Sequence, residues 1–108
     1  MRMWKVDVKK MCRKHLLGEH VEMHMFVGTI NKGISVKGYI NSGLVDVSHI
    51  SQRHDILMEE MLRRKYKHSK DLPFIDWTKL SDTQIRSNTV DVIANEIELH
   101  RRCKECKF

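Results

Sequence analysis

Between Asp7 and about Gly28 the chain has neither a proline nor a β-branched run, and apolar residues recur at Val8, Met11, Cys12, Met23 and Phe26. Spacings near three and four residues put these on one face of a helix, so the pattern predicts a first helix with Asp7 as its N-cap. Gly28, Gly33, Gly38 and Gly43 then follow every five residues. Such turn-forming sequence has too little apolar periodicity for a long helix and predicts a structured loop with a short helical piece. A second helix is expected from near Ser48 to about Tyr66, where Ile50, Leu57, Met58, Met61 and Leu62 form an apolar stripe. The segment from Lys67 to Asp82 holds the only proline, Pro73, with Phe74 and Trp77, and reads as an ordered connector packed over the helices. Asn88 followed by Asp91 resembles a capping box opening a third helix, with Val90, Ile93, Ala94 and Ile97 on one face and His100 to Cys103 at its end. The expectation is an all-α fold, with residues 1–108 forming a single domain of three main helices around one core, joined by long ordered loops.

The length of 108 residues supports one small core and excludes a two-domain enzyme with its own dinucleotide fold. Twenty Lys and Arg against fourteen Asp and Glu give a net charge of +6, which points to an anionic partner. Fifteen of the twenty fall in three groups. Arg2, Lys5, Lys9, Lys10, Arg13 and Lys14 are near the start, Arg63, Arg64, Lys65, Lys67 and Lys70 end the second helix, and Arg101, Arg102, Lys104 and Lys107 end the third. Each run alone fits a solvated face, whereas three in one small domain favour a surface that tracks phosphates. Trp4, Tyr39, Tyr66 and Trp77 are candidates for base stacking or for the core. No stretch is long and apolar enough to span a membrane and the N-terminus lacks an apolar signal region, so an intracellular, soluble monomer is expected. Cys12, Cys103 and Cys106 are expected as reduced thiols.

On the first helix His15, Glu19 and Glu22 share the apolar stripe, while Lys9, Lys10, Arg13, His20 and His24 lie opposite. A carboxylate facing a core is costly unless it is paired, hydrogen-bonded or placed at a cleft wall where a shifted pKa is useful. A buried Glu–His pair, a wet stripe edge and a functional cleft all satisfy that condition. His20 and His24 have the spacing that aligns two imidazoles, but Glu22 is not directly after the first His as zinc proteases require. Cys103 and Cys106 make half of a zinc knuckle that His100 and Cys12 would complete if folding brought them together. Neither pattern is assigned a metal, and no cofactor is expected. A phosphate-cradling glycine loop, a nucleophile elbow and an Asp cluster for two-metal chemistry are all absent from the sequence, so an enzyme here needs another nucleophile.

The run His15-Leu16-Leu17-Gly18-Glu19-His20-Val21-Glu22, followed by Phe26-Val27-Gly28, resembles the first helix of the phage-type pyrimidine-dimer DNA glycosylases, the endonuclease V repair enzymes. The opening Met-Arg-x-Trp is similar to that of cellular relatives. The stretch from Arg53-His54-Asp55 through Glu59 to Arg64 and Tyr66 matches in residue type. The resemblance implies a compact three-helix protein that binds damaged duplex DNA, extrudes a base, attacks the sugar at a pyrimidine dimer and cleaves the backbone.

By that resemblance the catalytic pair is the α-amino group of Met1 and the carboxylate of Glu22, with His15 and Glu19 in support. Arg2 is bulky enough to block removal of Met1, which then stands where the family's processed terminus stands. An α-amine has a reference pKa of ~7.7 to 8.0, so its neutral, nucleophilic form is accessible near pH 7 without a metal. The phage enzymes' phosphate-gripping arginines correspond to Val21 and Met25. DNA binding is therefore expected from Arg2, Lys5, Lys10, Arg13, Lys14, His20, His24, Arg63, Arg64, Lys67, Arg101 and Arg102. A non-catalytic DNA-binding protein on the same scaffold is the alternative.

Overall fold

A computed structural model describes residues 1–67 and 70–108. Among these residues there are helices and no strands: α1 (Arg13–Asn31), α2 (Lys37–Asn41), α3 (Ile50–Arg63), α4 (Asp82–Arg86) and α5 (Val92–Arg102). The three long ones are α1, α3 and α5, so the expected all-α architecture of three main helices with long loops is what the chain adopts.

The first helix starts later than its sequence pattern suggests. Asp7 caps a short 3-10 turn, Val8–Lys10, by accepting from the Lys9 N–H at 3.0 Å, and Met11 and Cys12 are extended before α1 begins. The helix then runs past Gly28 to Asn31. Gly33, with φ 76°, reverses the chain: its N–H donates to Ile30 O and the Ile34 N–H to Thr29 O, the paired bonds of a Schellman cap. Gly43, with φ 71°, closes α2 in the same way through Ile40 O and Tyr39 O. Gly28 and Gly38, by contrast, are ordinary helical positions. The glycine run thus marks two helix ends with the predicted short helix between them. At the end of α3, the same cap places Lys65 at φ 64°, which terminates the helix at Arg63 rather than near Tyr66.

α1 and α3 pack against each other along matching stripes. Leu16, Glu19, His20, Met23, Phe26, Val27 and Ile30 are the buried positions of α1, and Ile50, Arg53, His54, Leu57, Glu60 and Met61 those of α3. Each stripe therefore carries polar residues in its centre, and these meet across the interface. Leu62, expected in the α3 stripe, is exposed instead. Much of the remaining core comes from segments without helical periodicity: Met3, Trp4, Val6 and Met11 ahead of α1, and Val36, Val45 and Val47 between α1 and α3, with Ile40 of α2 and Leu99 of α5 added to them.

α5 differs from its expected packing. The Asn88–Asp91 box does not open the helix: Asp91 is itself the N-cap, its side chain accepting from the Ala94 N–H at 3.0 Å, and Asn95 and Leu99 are the buried positions. Ile93 and Ile97 are exposed, because the helix touches the core through one narrow edge and turns its apolar pair outward. The connector is also more open than expected. Among its described residues only Ile75 is buried, Phe74 is 98% exposed and Trp77 42%. The Asn31 side chain holds it by donating to Phe74 O and accepting from the Asp76 N–H. Residues 68 and 69 of that connector lie outside the described residues. A capping box between Ser81 and Gln84 opens α4, a helix not anticipated from the sequence.

Candidate active site

The first six residues run as a thread across the α1–α3 pair, fastened by hydrogen bonds at several points although Arg2 Nε is buried without a partner among the described residues. The Met3 N–H donates to Leu44 O at 2.7 Å. Asn95 of α5 donates to Trp4 O at 2.8 Å, and its Oδ1 accepts from the Arg2 guanidinium at 2.6 Å. That guanidinium also lies over the Trp4 ring, 4.0 Å from its centroid. Lys5 takes a left-handed φ of 60°, from which its N–H points to Glu19 Oε2 at 3.4 Å and its Nζ donates to Asp46 at 3.0 Å. Asp46 is fully buried and also accepts from the N–H groups of Thr89 and Val90, tying the thread to the segment before α5.

Beneath the thread, Glu19 and Arg53 form a buried, two-pronged ion pair, Nε to Oε2 at 2.7 Å and Nη2 to Oε1 at 2.9 Å. Arg53 extends a third bond to Val6 O at 2.9 Å. A fork of this kind satisfies both ions inside a core and fixes the backbone above it. Glu19 is thus paired in the core with an arginine, not with a histidine. Although α1 carries both carboxylates, only Glu22 is half-buried with a path to solvent.

The result is a cleft of about 700 Å³ with Met1, Arg2, Trp4, Lys14, His15, Glu22 and Arg102 on its wall. The α-amino nitrogen of Met1 stands 3.9 Å from Glu22 Oε1. Burial raises the Glu22 carboxyl above its ordinary value, assisted by the Glu19 charge, while the Met1 ammonium and the Arg2 N–H oppose the rise. A carboxyl poised in this way can hold a proton or release it near a neighbouring amine. Burial, reinforced by Lys14 and Arg102, holds the His15 imidazole below its ordinary value. The cleft's volume is in the range of small-ligand sites, roughly 300–1,000 Å³.

The basic residues singled out from the sequence separate into distinct settings. Arg2, Lys14 and Arg102 border the cleft, and Arg102 is also paired with Glu98 at 2.6 Å. Arg13 lies over the Tyr66 ring, and Lys10 is exposed beside it in sequence on the 3-10 turn. Lys5 is engaged inside with Asp46 and His49. Arg63 pairs with Glu60, and Arg64 reaches Glu60 and the carbonyls of Val8 and Met11, which makes it a clamp on the 3-10 turn. Arg101 pairs with Glu98, and Lys67 is exposed after α3. His20, expected on an outer face, is buried, with its Nε2 3.2 Å from His54 Nε2, and the His24 ring is about 5 Å from both. The positioning residues Arg53, Asn95 and Asp46 carried no sequence signal of their role beyond being polar residues in apolar stripes or next to them.

Among the described residues two groups bring enough donor atoms together to hold a metal: His20, His24 and His54, and Cys12, His15, Cys103 and Cys106. In the second, His15 takes the place expected of His100. Comparison with known proteins gives one finding at the level of families. The model of a family described as pyrimidine dimer DNA glycosylase matches residues 1–74. No curated protein and no solved structure matches the chain.

Proposed function

The chain belongs to the pyrimidine dimer DNA glycosylase family, and from that premise we propose that it excises pyrimidine dimers from duplex DNA and cleaves the abasic strand as a lyase. The observation that carries the reading is the α-amine of Met1 held 3.9 Å from Glu22 in a cleft of nucleoside dimensions with cationic walls. The nucleophile is that amine. Its lone pair attacks C1′ of the damaged nucleotide, the glycosidic bond breaks, and the base leaves with the bonding electrons and takes up a proton. The nitrogen, cationic after forming its bond to C1′, gives up one proton, and the C1′–O4′ bond then opens, O4′ leaving with the bonding electrons and taking up a proton, to give an iminium ion. Loss of the C2′ proton then drives β-elimination, which breaks the C3′–O3′ bond and releases the 3′ phosphate oxygen.

Glu22 stabilises the cationic sugar and iminium and carries the C2′ proton. Lys14 and Arg102 at the cleft wall, with Lys10 and Arg13 beyond it, hold the phosphates on either side. Glu19 acts one step removed, through Arg53 and the thread that aims Met1, and Asn95 does the same from α5. Because Asn95 and Arg102 serve a cleft otherwise built by residues 1–74, residues 1–108 are proposed to work as one domain. Protein groups supply every step of the chemistry.

Borohydride trapping tests the reading. Incubation with duplex DNA containing a thymine dimer or an abasic site is expected to give a covalent adduct whose digested peptide carries the sugar on the Met1 nitrogen. An adduct on a lysine Nζ, or none with either DNA, overturns it. Duplex binding that weakens with salt but yields no adduct identifies a non-catalytic DNA-binding protein on the same scaffold.

A further inference from the structure

We propose that Cys12, His15, Cys103 and Cys106 form a tetrahedral Zn²⁺ site that fastens the segment after α5 to the start of α1. The four come as two pairs, each with two residues between its members: Cys12 is the N-cap of α1 and His15 sits in its first turn, while Cys103 is the C-cap of α5 and Cys106 lies in the turn that follows. A pair at that spacing offers two ligands from one turn, and two such pairs make a closed structural zinc site.

The distances fit one ion and not a covalent bond. All four donor atoms lie within 4.8 Å of one another. Cys12 Sγ and Cys103 Sγ are 3.8 Å apart, and His15 Nδ1 is 3.6 Å from Cys106 Sγ and 3.2 Å from Cys12 Sγ, the last widening to a ligand separation with a small shift. Bond lengths of about 2.3 Å to sulfur and 2.0–2.1 Å to nitrogen at tetrahedral angles require ligand separations of about 3.8 Å for S···S and 3.6 Å for S···N. A disulfide would need about 2.05 Å. The Cys12 N–H donates to Cys106 Sγ at 3.2 Å, the kind of bond that orients and stabilises a ligating thiolate. Nearby, the Lys107 N–H donates to Lys10 O at 2.8 Å, so the backbone already holds the two pairs in place. Cys12 and Cys106 are buried, and the other two are half-buried. Three thiolates and an imidazole select Zn²⁺ over hard cations such as Mg²⁺ or Ca²⁺.

The ion would have a mechanical role. It would join a pair inside the family-matched region, residues 1–74, to a pair beyond it, and so fix the Arg102 side of the cleft against α1. This holds whether or not the chain acts on DNA.

The test uses the full chain purified under reducing conditions with Zn²⁺ present. Native mass spectrometry is expected to show one zinc per chain, and thiol titration to find the cysteines protected until a strong chelator is added. Chelation is expected to lower the melting temperature by roughly 10 °C or more, as loss of a ligand bound only by the folded state requires. Cys103→Ser is expected to lose the zinc, and His24→Asn, which alters the separate histidine cluster, to keep it. Should Cys103→Ser not fold, Co²⁺ added to the wild-type apoprotein decides: tetrahedral visible bands with thiolate-to-metal charge transfer support the site, and their absence overturns it. Metal-free reduced protein, zinc retained by Cys103→Ser, zinc lost from His24→Asn, or an intact mass showing a disulfide would each overturn it as well.

Discussion

Replacing Glu19 by Gln keeps the side chain's shape and removes its charge, leaving the Arg53 guanidinium buried with a neutral partner. Glu19 has no exposed side-chain surface and Arg53 has 5%. Breaking a buried pair from one side costs about 3–5 kcal/mol because the other charge is stranded. The Gln carbonyl still accepts one bond, and the contact of Arg53 with Val6 O survives, so the lower end, ~3 kcal/mol, is the expected loss. At roughly 4–8 °C per kcal/mol for a domain of this size, the melting temperature should drop by about 12–24 °C. Combining Glu19→Met with Arg53→Met removes both ions, and the double variant should be more stable than the sum of the two single losses by at least ~1 kcal/mol. Recovery is incomplete, because the Lys5 N–H and Val6 O lose their partners at ~1–3 kcal/mol each. Urea denaturation of the two single variants, the pair and the parent closes the cycle. A loss below about 1 kcal/mol for Glu19→Gln, or strict additivity in the cycle, would refute the claim that this glutamate is a structural anchor of the thread.

Glu22→Gln should behave in the opposite way. Stability at pH 7 should be unchanged or slightly higher, since burial penalises the ionised carboxylate, while strand cleavage falls by roughly 10²–10⁴-fold; normal cleavage in a gel assay would exclude Glu22 from the chemistry. Glu60, pulled down to about 2 chiefly by its bond to Arg63, contributes stability that is complete above the unfolded value near 4.5 and lost as pH falls through about 2. Acid titration of a Glu60→Gln variant should therefore show a flatter decline over that window than the parent. Lys65→Gly, at the left-handed cap of α3, should stabilise by roughly 0.5–1 kcal/mol, and Gly43→Ala, whose Cβ would meet Thr89 O at 3.0 Å at φ 71°, should destabilise by more than that in thermal melts.

The hydrophobic pattern located α1 and α3 well because their buried faces recur at helical spacing. It misplaced the start of α1 because Val8 and Met11 are buried or half-buried without being helical. Periodicity cannot register residues that enter the core from an extended thread, and Met3, Trp4 and Val6 do so by long-range backbone bonds. α5 was located from a capping signal read three residues early, at Asn88 instead of Asp91, and oriented by its isoleucines, whereas Asn95, which sequence reasoning would place in solvent, faces inward and donates to Trp4 O. Similarly, the titratable stripe of α1 was visible, but the division between Glu19 and Glu22 was not. That division depends on Arg53, 34 residues away, reaching one carboxylate and leaving the other beside Met1.

The location of the Met1 nitrogen inside the cleft has a practical side. Met3 is fully buried and the backbone before it is pinned, so an affinity handle joined ahead of Met1 has only the mouth of the cavity through which to leave. It would turn the primary amine into an amide and plug the opening at once, with the helices undisturbed. By the proposed mechanism, a recombinant preparation of that design would fold and still read as inert, until a protease trimmed it back to the bare methionine.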